Sequence, residues 1–297
     1  MSYSIAIASG KGGTGKTTVA VNLLQSFLDA GVDAVLADCD VEEPNDSLFL
    51  SSEISETEEV VQHLAEVHPE KCTFCGRCAE ACAFNAILNV PSVGYIKIMP
   101  DLCHACGVCS YVCPESGAIT EYAKVRGYVR KYQQEGKQIL IEGALNLGEA
   151  MAVPVIKAAK KALNATAADI QIIDAPPGTS CPAMETIQDA DYVLLVAEPT
   201  PYGLNDLKIM LQTVREMNLR VGVIINRYGI GEGALESYLN EEKVDILAKI
   251  PFQKHIASVY SNGDLLVHAI PEMKMLFNKL QNNLILKQKP YAANHHY

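Results

Sequence analysis

The sequence has no excess of positive charge. Lysine and arginine number 24 against 35 aspartates and glutamates, a net charge of −11, and no basic stretch interrupts that acidity. Nothing in the bulk charge draws a nucleic-acid backbone or an anionic membrane, so neither is an expected partner. Long apolar runs are missing too. None reaches the roughly 18 residues a membrane helix needs, which excludes a helical integral membrane protein and any stable membrane insertion. The stretch Met1 to Ser9 lacks the basic region, apolar core and cleavage site of a secretory signal, so a cytoplasmic location with reduced thiols is expected.

What is present is a chain of 297 residues, 49% apolar and 20% charged, as in a globular protein. At about 150 residues per domain the length suggests two domains. Ten cysteines are the compositional anomaly, and eight lie between Cys72 and Cys113. In a reducing compartment such a cluster is read first as metal ligands and only then as disulfides.

Short apolar runs at Ser4–Ala8, Val32–Ala37, Asp169–Ile173, Tyr192–Ala197, Val221–Ile225 and Ile246–Ile250 read as strands. Helices are expected at Thr17–Leu28, which carries Val19, Leu23, Leu24 and Phe27 at helical spacing, and at about 203–217 and 232–240. This alternation predicts an α/β fold, a doubly wound and mostly parallel sheet whose ligands bind at the carboxyl ends of the strands. Residues 66–120 break the pattern and read as a small inserted domain, with 1–65 and 121–297 forming the larger one. The acidic approach Glu53–Glu59 is expected to be a surface linker or solvated helix. Residues 124–150, with Glu142 and Glu149, read as a structured loop near the second switch, without an assigned role.

Gly10-Lys-Gly-Gly-Thr-Gly-Lys16-Thr17 satisfies G-x-x-x-x-G-K-[ST] between an expected strand and an expected helix, the context this phosphate loop requires. Gly10, Gly12, Gly13 and Gly15 let backbone N–H groups from Lys11 through Thr14 to Thr18 converge on phosphate oxygens at a helix N-terminus. Lys16 is placed to reach the β and γ phosphates of ATP, and Thr17 to ligate Mg²⁺.

A second lysine, Lys11, directly follows the first glycine. Here the sequence resembles the deviant Walker A ATPases, the superfamily of MinD, ParA, Mrp and the nitrogenase iron protein. The resemblance implies a nucleotide-sandwich homodimer in which Lys11 reaches the partner's ATP, as an arginine finger would. It implies that Asp40 positions the attacking water, and that Asp38 supports Mg²⁺ or the loop. It implies that Asp174, opening Asp-Ala-Pro-Pro-Gly178-Thr, lies in the metal's outer shell with Gly178 near the γ-phosphate. Asn226 is expected to bond the adenine, flanked by Pro251 and Phe252. The iron protein of nitrogenase holds a bridging cluster by a cysteine at the offset of Cys181, which makes Cys181 a candidate ligand between subunits.

Cys72-x₂-Cys75-x₂-Cys78-x₃-Cys82 recurs 31 residues later as Cys103-x₂-Cys106-x₂-Cys109-x₃-Cys113-Pro114. These are two copies of the bacterial ferredoxin run, in which the fourth cysteine serves the other cluster. Cys72, Cys75, Cys78 and Cys113 are therefore assigned to one [4Fe–4S] cluster, and Cys82, Cys103, Cys106 and Cys109 to a second, in a small α+β ferredoxin-like domain. A zinc ribbon uses two C-x₂-C pairs, not four cysteines per half. Ala83 stands where the second copy has Pro114, which removes no ligand. Cys39 reads as a buried small hydrophobe.

The expected activity is ATP hydrolysis, slow unless dimerisation or a partner activates it, and coupled to electron transfer from the clusters to a partner metalloprotein or metallocofactor. An Mrp-type cluster assembly or carrier factor is the alternative, although no C-x₂-C pair occurs late in the chain; a MinD- or ParA-like spatial organiser is a third reading. Over 272–287, Met275, Leu276, Leu280, Leu284 and Ile285 share a helical face, read as a last helix packed on the sheet rather than a membrane-seeking one. No chemistry is assigned to His295 and His296.

Overall fold

The structure, a computed structural model, describes residues 2–231 and 233–288; the His295–His296 pair lies outside them. Two compact units divide the chain, one of Met1–Thr57, Val129–Ala144 and Val155–Tyr297, the other of Glu58–Tyr128 and Leu145–Pro154.

In the first unit β1 (Tyr3–Ala8) passes through a glycine-rich loop into α1 (Lys16–Asp29) and then β2 (Ala34–Asp38). The long β3 (Glu53–Val67) enters the second unit, which holds α2 (Arg77–Glu80), β4 (Ile87–Val90), β5 (Tyr95–Ile98) and α3 (Val108–Val112). The chain returns along β6 (Ile119–Gln134) and turns into β7 (Lys137–Leu145). After α4 (Val153–Asn164) come β8 (Ile170–Asp174), α5 (Cys181–Ile187), β9 (Tyr192–Ala197), α6 (Pro201–Glu216), β10 (Val221–Tyr228), α7 (Ala234–Glu241) and β11 (Ile246–Pro251). Three helices close the described chain: α8 (Lys254–Ser261), α9 (Leu266–Ala269) and α10 (Pro271–Gln288).

The strand order is β11-β10-β9-β1-β8-β2-β7-β6-β3, with parallel pairing from β11 to β7. β1, β8 and β9 are apolar and buried almost throughout, as strands covered on both faces must be. Val19, Leu23, Leu24 and Phe27 of α1 are fully buried against this sheet, the stripe their spacing predicts. α10 packs on α1: Phe277, Leu280 and Leu284 are buried, and Ser26 Oγ donates to Gln281 Oε1 at 2.9 Å. Met275, expected on the packed face, is instead 65% exposed, and Met273 takes the inner position.

Two segments differ from their sequence expectation. Glu53–Glu59 is the start of an edge strand, not a linker or helix. Its side chains are exposed, so no period-two pattern marks it; pairing with a distant partner holds it, Ser55 Oγ donating to Lys131 O at 3.1 Å. A charged edge also resists pairing with a second chain. Residues 124–150 are not a loop near the second switch but largely the β6–β7 hairpin, with β7 parallel to β2. Its two-residue turn, Glu135 and Gly136, has φ of 50° and 78°, the left-handed geometry that matches strand twist. Glu-Gly lacks the Asn-Gly or Asp-Gly signal that would have announced it.

In the second unit β4 and β5 pair antiparallel over a small core of Leu64, Ala86, Ile87, Ile96 and Ile98, which also holds Cys78 and Cys103. The sequence repeat is a backbone repeat as well. Phe74 and Ala105 both sit at φ 54°, followed by Gly76 at 84° and Gly107 at 71°. A non-glycine residue in this region costs about 1–2 kcal/mol, and here it occurs at the same point of both copies. Arg126 is fully buried in this unit: Nε donates to Gln62 Oε1 at 3.0 Å, and the guanidinium pairs with Glu149 and reaches Pro100 O.

Candidate nucleotide site and cysteine cavities

Strand register assembles the first site. Asp38 of β2 lies opposite Asp174 of β8 and, on its other side, Glu142 of β7, so three carboxylates stand in a row at the carboxyl ends of neighbouring strands. Each is at least 97% buried. The glycine-rich loop leaves β1 beside this row and enters α1 through Gly15 at φ 95°. No side chain caps α1 and no acidic residue occupies its first turn, so its N-terminal N–H groups are free for an anion. Gly10 and Gly15 are also demanded by packing. A Cβ would stand 2.4 Å from Asp206 O at Gly10 and 2.3 Å from Asn226 Nδ2 at Gly15.

A cavity of about 620 Å³ opens on the loop, within the usual range for small-molecule sites. One end is polar, formed by Gly12, Gly13, Gly15, Lys16, Thr17, Thr18 and Asp40; the other is apolar, with Pro251, Phe252 and Ile256. Asn226 lines the wall between, but its Nδ2 donates to Thr14 O at 2.7 Å and its Oδ1 accepts from Arg227 N at 2.8 Å. In this state Asn226 braces the phosphate loop. Gly178 also supports the loop, its N–H donating to Ser9 O at 2.9 Å.

The carboxylates divide their work. Asp38 accepts from the N–H groups of Asp40, Asn45 and Asp46 at 2.9–3.1 Å and so clamps the loop after β2. Asp174 accepts from Thr17 Oγ1 at 2.9 Å through one oxygen, while its Oδ1 is buried without a partner. An orphaned, buried carboxylate oxygen beside the Thr17 hydroxyl suits a divalent cation or its bound water, so Thr17 and Asp174 fit Mg²⁺. Burial raises Asp174 to about 7 against the lowering effect of Lys16 and the Thr17 hydroxyl. Burial likewise raises Asp40 to about 6, again opposed by Lys16. Asp38 is pushed well up by burial and by the Asp174 charge.

Lys11 points away from this cavity. Its Nζ lies 3.2 Å from Glu198 Oε2, and the other oxygen of Glu198 meets Arg227 at 2.8 Å. Glu198, just past β9 and 4% exposed, was not apparent in the sequence, because nothing local marks a carboxylate whose partners come from the phosphate loop and from the end of β10. Asp46 was missed for the same reason. Glu142 was noticed but unassigned; it accepts from Ser47, Arg130 and Tyr132.

All ten cysteines are free thiols. In the second unit one cavity is lined by Cys72, Cys75, Cys78 and Cys113, and another by Cys82, Cys103, Cys106 and Cys109. Each therefore joins three cysteines of one repeat to the fourth of the other. Among the described residues no three His, Cys, Asp or Glu side chains converge tightly enough for a single metal ion. Cys39 is buried, and Cys181 is exposed at the start of α5.

A glycine-rich loop, an uncapped helix and a cation-suited threonine–aspartate pair at the strand ends define a P-loop nucleotide-binding protein. Residues 5–267 match the CbiA family, the CobQ/CobB/MinD/ParA nucleotide binding domain. The chain belongs to that family. It is 32% identical over 282 residues to an uncharacterized protein of Methanocaldococcus jannaschii, covering 93% of this chain and 96% of that one. It is 26% identical to an iron-sulfur cluster carrier protein of Pyrococcus abyssi, covering 84% and 74%. Among solved structures, MinD of Pyrococcus horikoshii complexed with Mg-ADP shares the fold, with a TM-score of 0.58 at 22% identity over 98% of this chain and 100% of that one. Among the described residues no helix is long and apolar enough to cross a membrane.

Proposed function

We propose that the protein is a dimerising ATPase that carries two [4Fe–4S] clusters and uses nucleotide binding to govern electron transfer to a partner metalloprotein or metallocofactor, in the cytoplasm. The observation that carries this reading is the pair of four-cysteine cavities in a chain that also has a P-loop cavity. A single zinc ion needs its donors around one point, whereas each iron of a cubane takes its own thiolate, so four separated thiols favour clusters. When bound, such clusters supply one-electron storage.

At the nucleotide, Lys16 and the loop N–H groups hold the phosphates and Thr17 orients toward the metal. Asp40, on the cavity wall and raised to about 6, accepts the proton of the attacking water near neutral pH. Family membership supports the ATPase part. The homodimer, with Lys11 leaving Glu198 to reach the partner's nucleotide, rests on the resemblance to deviant Walker A ATPases.

The test is ATP turnover of anaerobically purified protein with its clusters reduced by dithionite or oxidised, with Lys11→Ala as the dimer-defective control. A redox-dependent rate that Lys11→Ala abolishes is expected; a rate indifferent to cluster state overturns the coupling. A cluster-carrier role is the second reading, favoured by relatives that bear the name iron-sulfur cluster carrier protein. Against it, the sequence has no cysteine after Cys181. Iron that leaves the protein in step with ATP hydrolysis would favour this role.

A further inference from the structure

The two cysteine cavities are built alike but bordered differently. In each set one cysteine is exposed, Cys75 in one and Cys106 in the other, so both cavities reach the surface. Sulfur receives a backbone N–H donor in both, from Phe74 to Cys72 at 3.3 Å and from Ala86 to Cys82 at 3.4 Å. A carboxylate lines each, Glu115 in one and Glu121 in the other. What differs is a pair of rings. Phe84 and His104 both line the cavity of Cys82, Cys103, Cys106 and Cys109, and their rings stack with centroids 3.6 Å apart and planes 9° from parallel. That spacing is van der Waals contact and leaves no room for water between the faces. Phe84 is nevertheless 40% exposed and His104 is exposed as well, so the stack stands at the rim of the cavity and not in the core. The sequence repeat puts Thr73 in the first copy where the second has His104, and Glu115 in the second where the first has Phe84. Thr73 and Glu115 line the other cavity. The same two positions therefore border both cavities, and one of the two sites fills them with stacked rings.

We infer that the Phe84–His104 stack caps the second cluster, so that reagents in solution reach the first cluster, beside Thr73 and Glu115, well before the second. The shell around a metal site controls solvent access to it, and here the repeat supplies an uncapped copy for comparison. The site of Cys72, Cys75, Cys78 and Cys113 is the one that exchanges with solution, and the ring-covered site is sheltered. The inference rests on the reading that the eight cysteines hold two [4Fe–4S] clusters, and it makes the two inequivalent.

The test takes the full chain, reconstituted anaerobically and held at one pH with its iron content measured first, and follows iron lost to excess EDTA. Wild type is expected to lose its iron in two phases of about four irons each, the slow one roughly tenfold slower than the fast one. Cys113→Ala, which takes a ligand from the first cluster, is expected to keep the slow phase alone. Phe84→Ala and His104→Thr are each expected to merge the slow phase into the fast one. The reciprocal double variant, Thr73→His with Glu115→Phe, is expected to slow the fast phase, and it leaves the native rings in place. Phases that stay as in wild type in all three of these variants overturn the inference, as does a single phase in wild type or a fast phase retained by Cys113→Ala. Wild type that takes up no iron would instead overturn the cluster reading itself.

Discussion

Asp174 and Asp40 give the ligand-free protein a definite pH dependence. Their carboxyls are raised to about 7 and about 6, against the ordinary value 3.8 that applies in the unfolded chain. Between about pH 4 and pH 7 the native state therefore holds protons that the unfolded state has released. Stability from these groups is present below that window and is lost as pH rises through the native values. We expect the unfolding temperature without ligand to fall from pH 5 to pH 7, and Asp174→Asn to flatten that slope in differential scanning calorimetry. A slope unchanged by Asp174→Asn would contradict this assignment. Saturation with Mg-ADP should flatten it too, since a bound cation favours the ionised carboxylates.

At the scale of elements, the buried Arg126 is the clearest structural dependence. From β6 it joins Gln62 of β3, the Pro100 carbonyl and Glu149. Removing one partner of a buried ion pair costs about 3–5 kcal/mol, because the other charge is left without compensation. Arg126→Ala leaves Glu149 with only the half-buried Lys124. Calorimetry should show the transition of the second unit moving down sharply, and ADP binding to the first unit should persist. Loss of both together would mean that the units do not unfold separately.

For the whole molecule, the crossed cysteine sets make a prediction that proximity in sequence would not. Cys113 lies ten residues from Cys103 and 41 from Cys72, yet it shares a cavity with Cys72. On the proposed reading of two four-iron clusters per chain, anaerobically reconstituted protein should hold about eight irons. Cys113→Ala should lower iron toward about four. Adding Cys72→Ala should remove little more, whereas adding Cys103→Ala should remove most of what is left, the non-additivity expected of residues at one site. The opposite pattern would assign each repeat its own cluster.

The sequence alone determined much of what depends on short stretches of chain. The phosphate loop between its strand and helix and the alternating strands from β8 to β11 are local patterns that form the expected elements, and the duplicated cysteine runs recur as a backbone repeat. The edge strand at Glu53 was not legible because its exposed side chains carry no burial period and a remote partner holds it, and the β6–β7 hairpin was not because its Glu-Gly turn lacks the usual signal. Tertiary structure alone decided the row of Asp38, Asp174 and Glu142, the bare burial of Asp46, the meeting of Lys11 with Glu198, and the engagement of Asn226 with Thr14. Those placements follow from the register of parallel strands and the approach of loops far apart in the chain. The positions of such carboxylates are set by packing that no local pattern encodes.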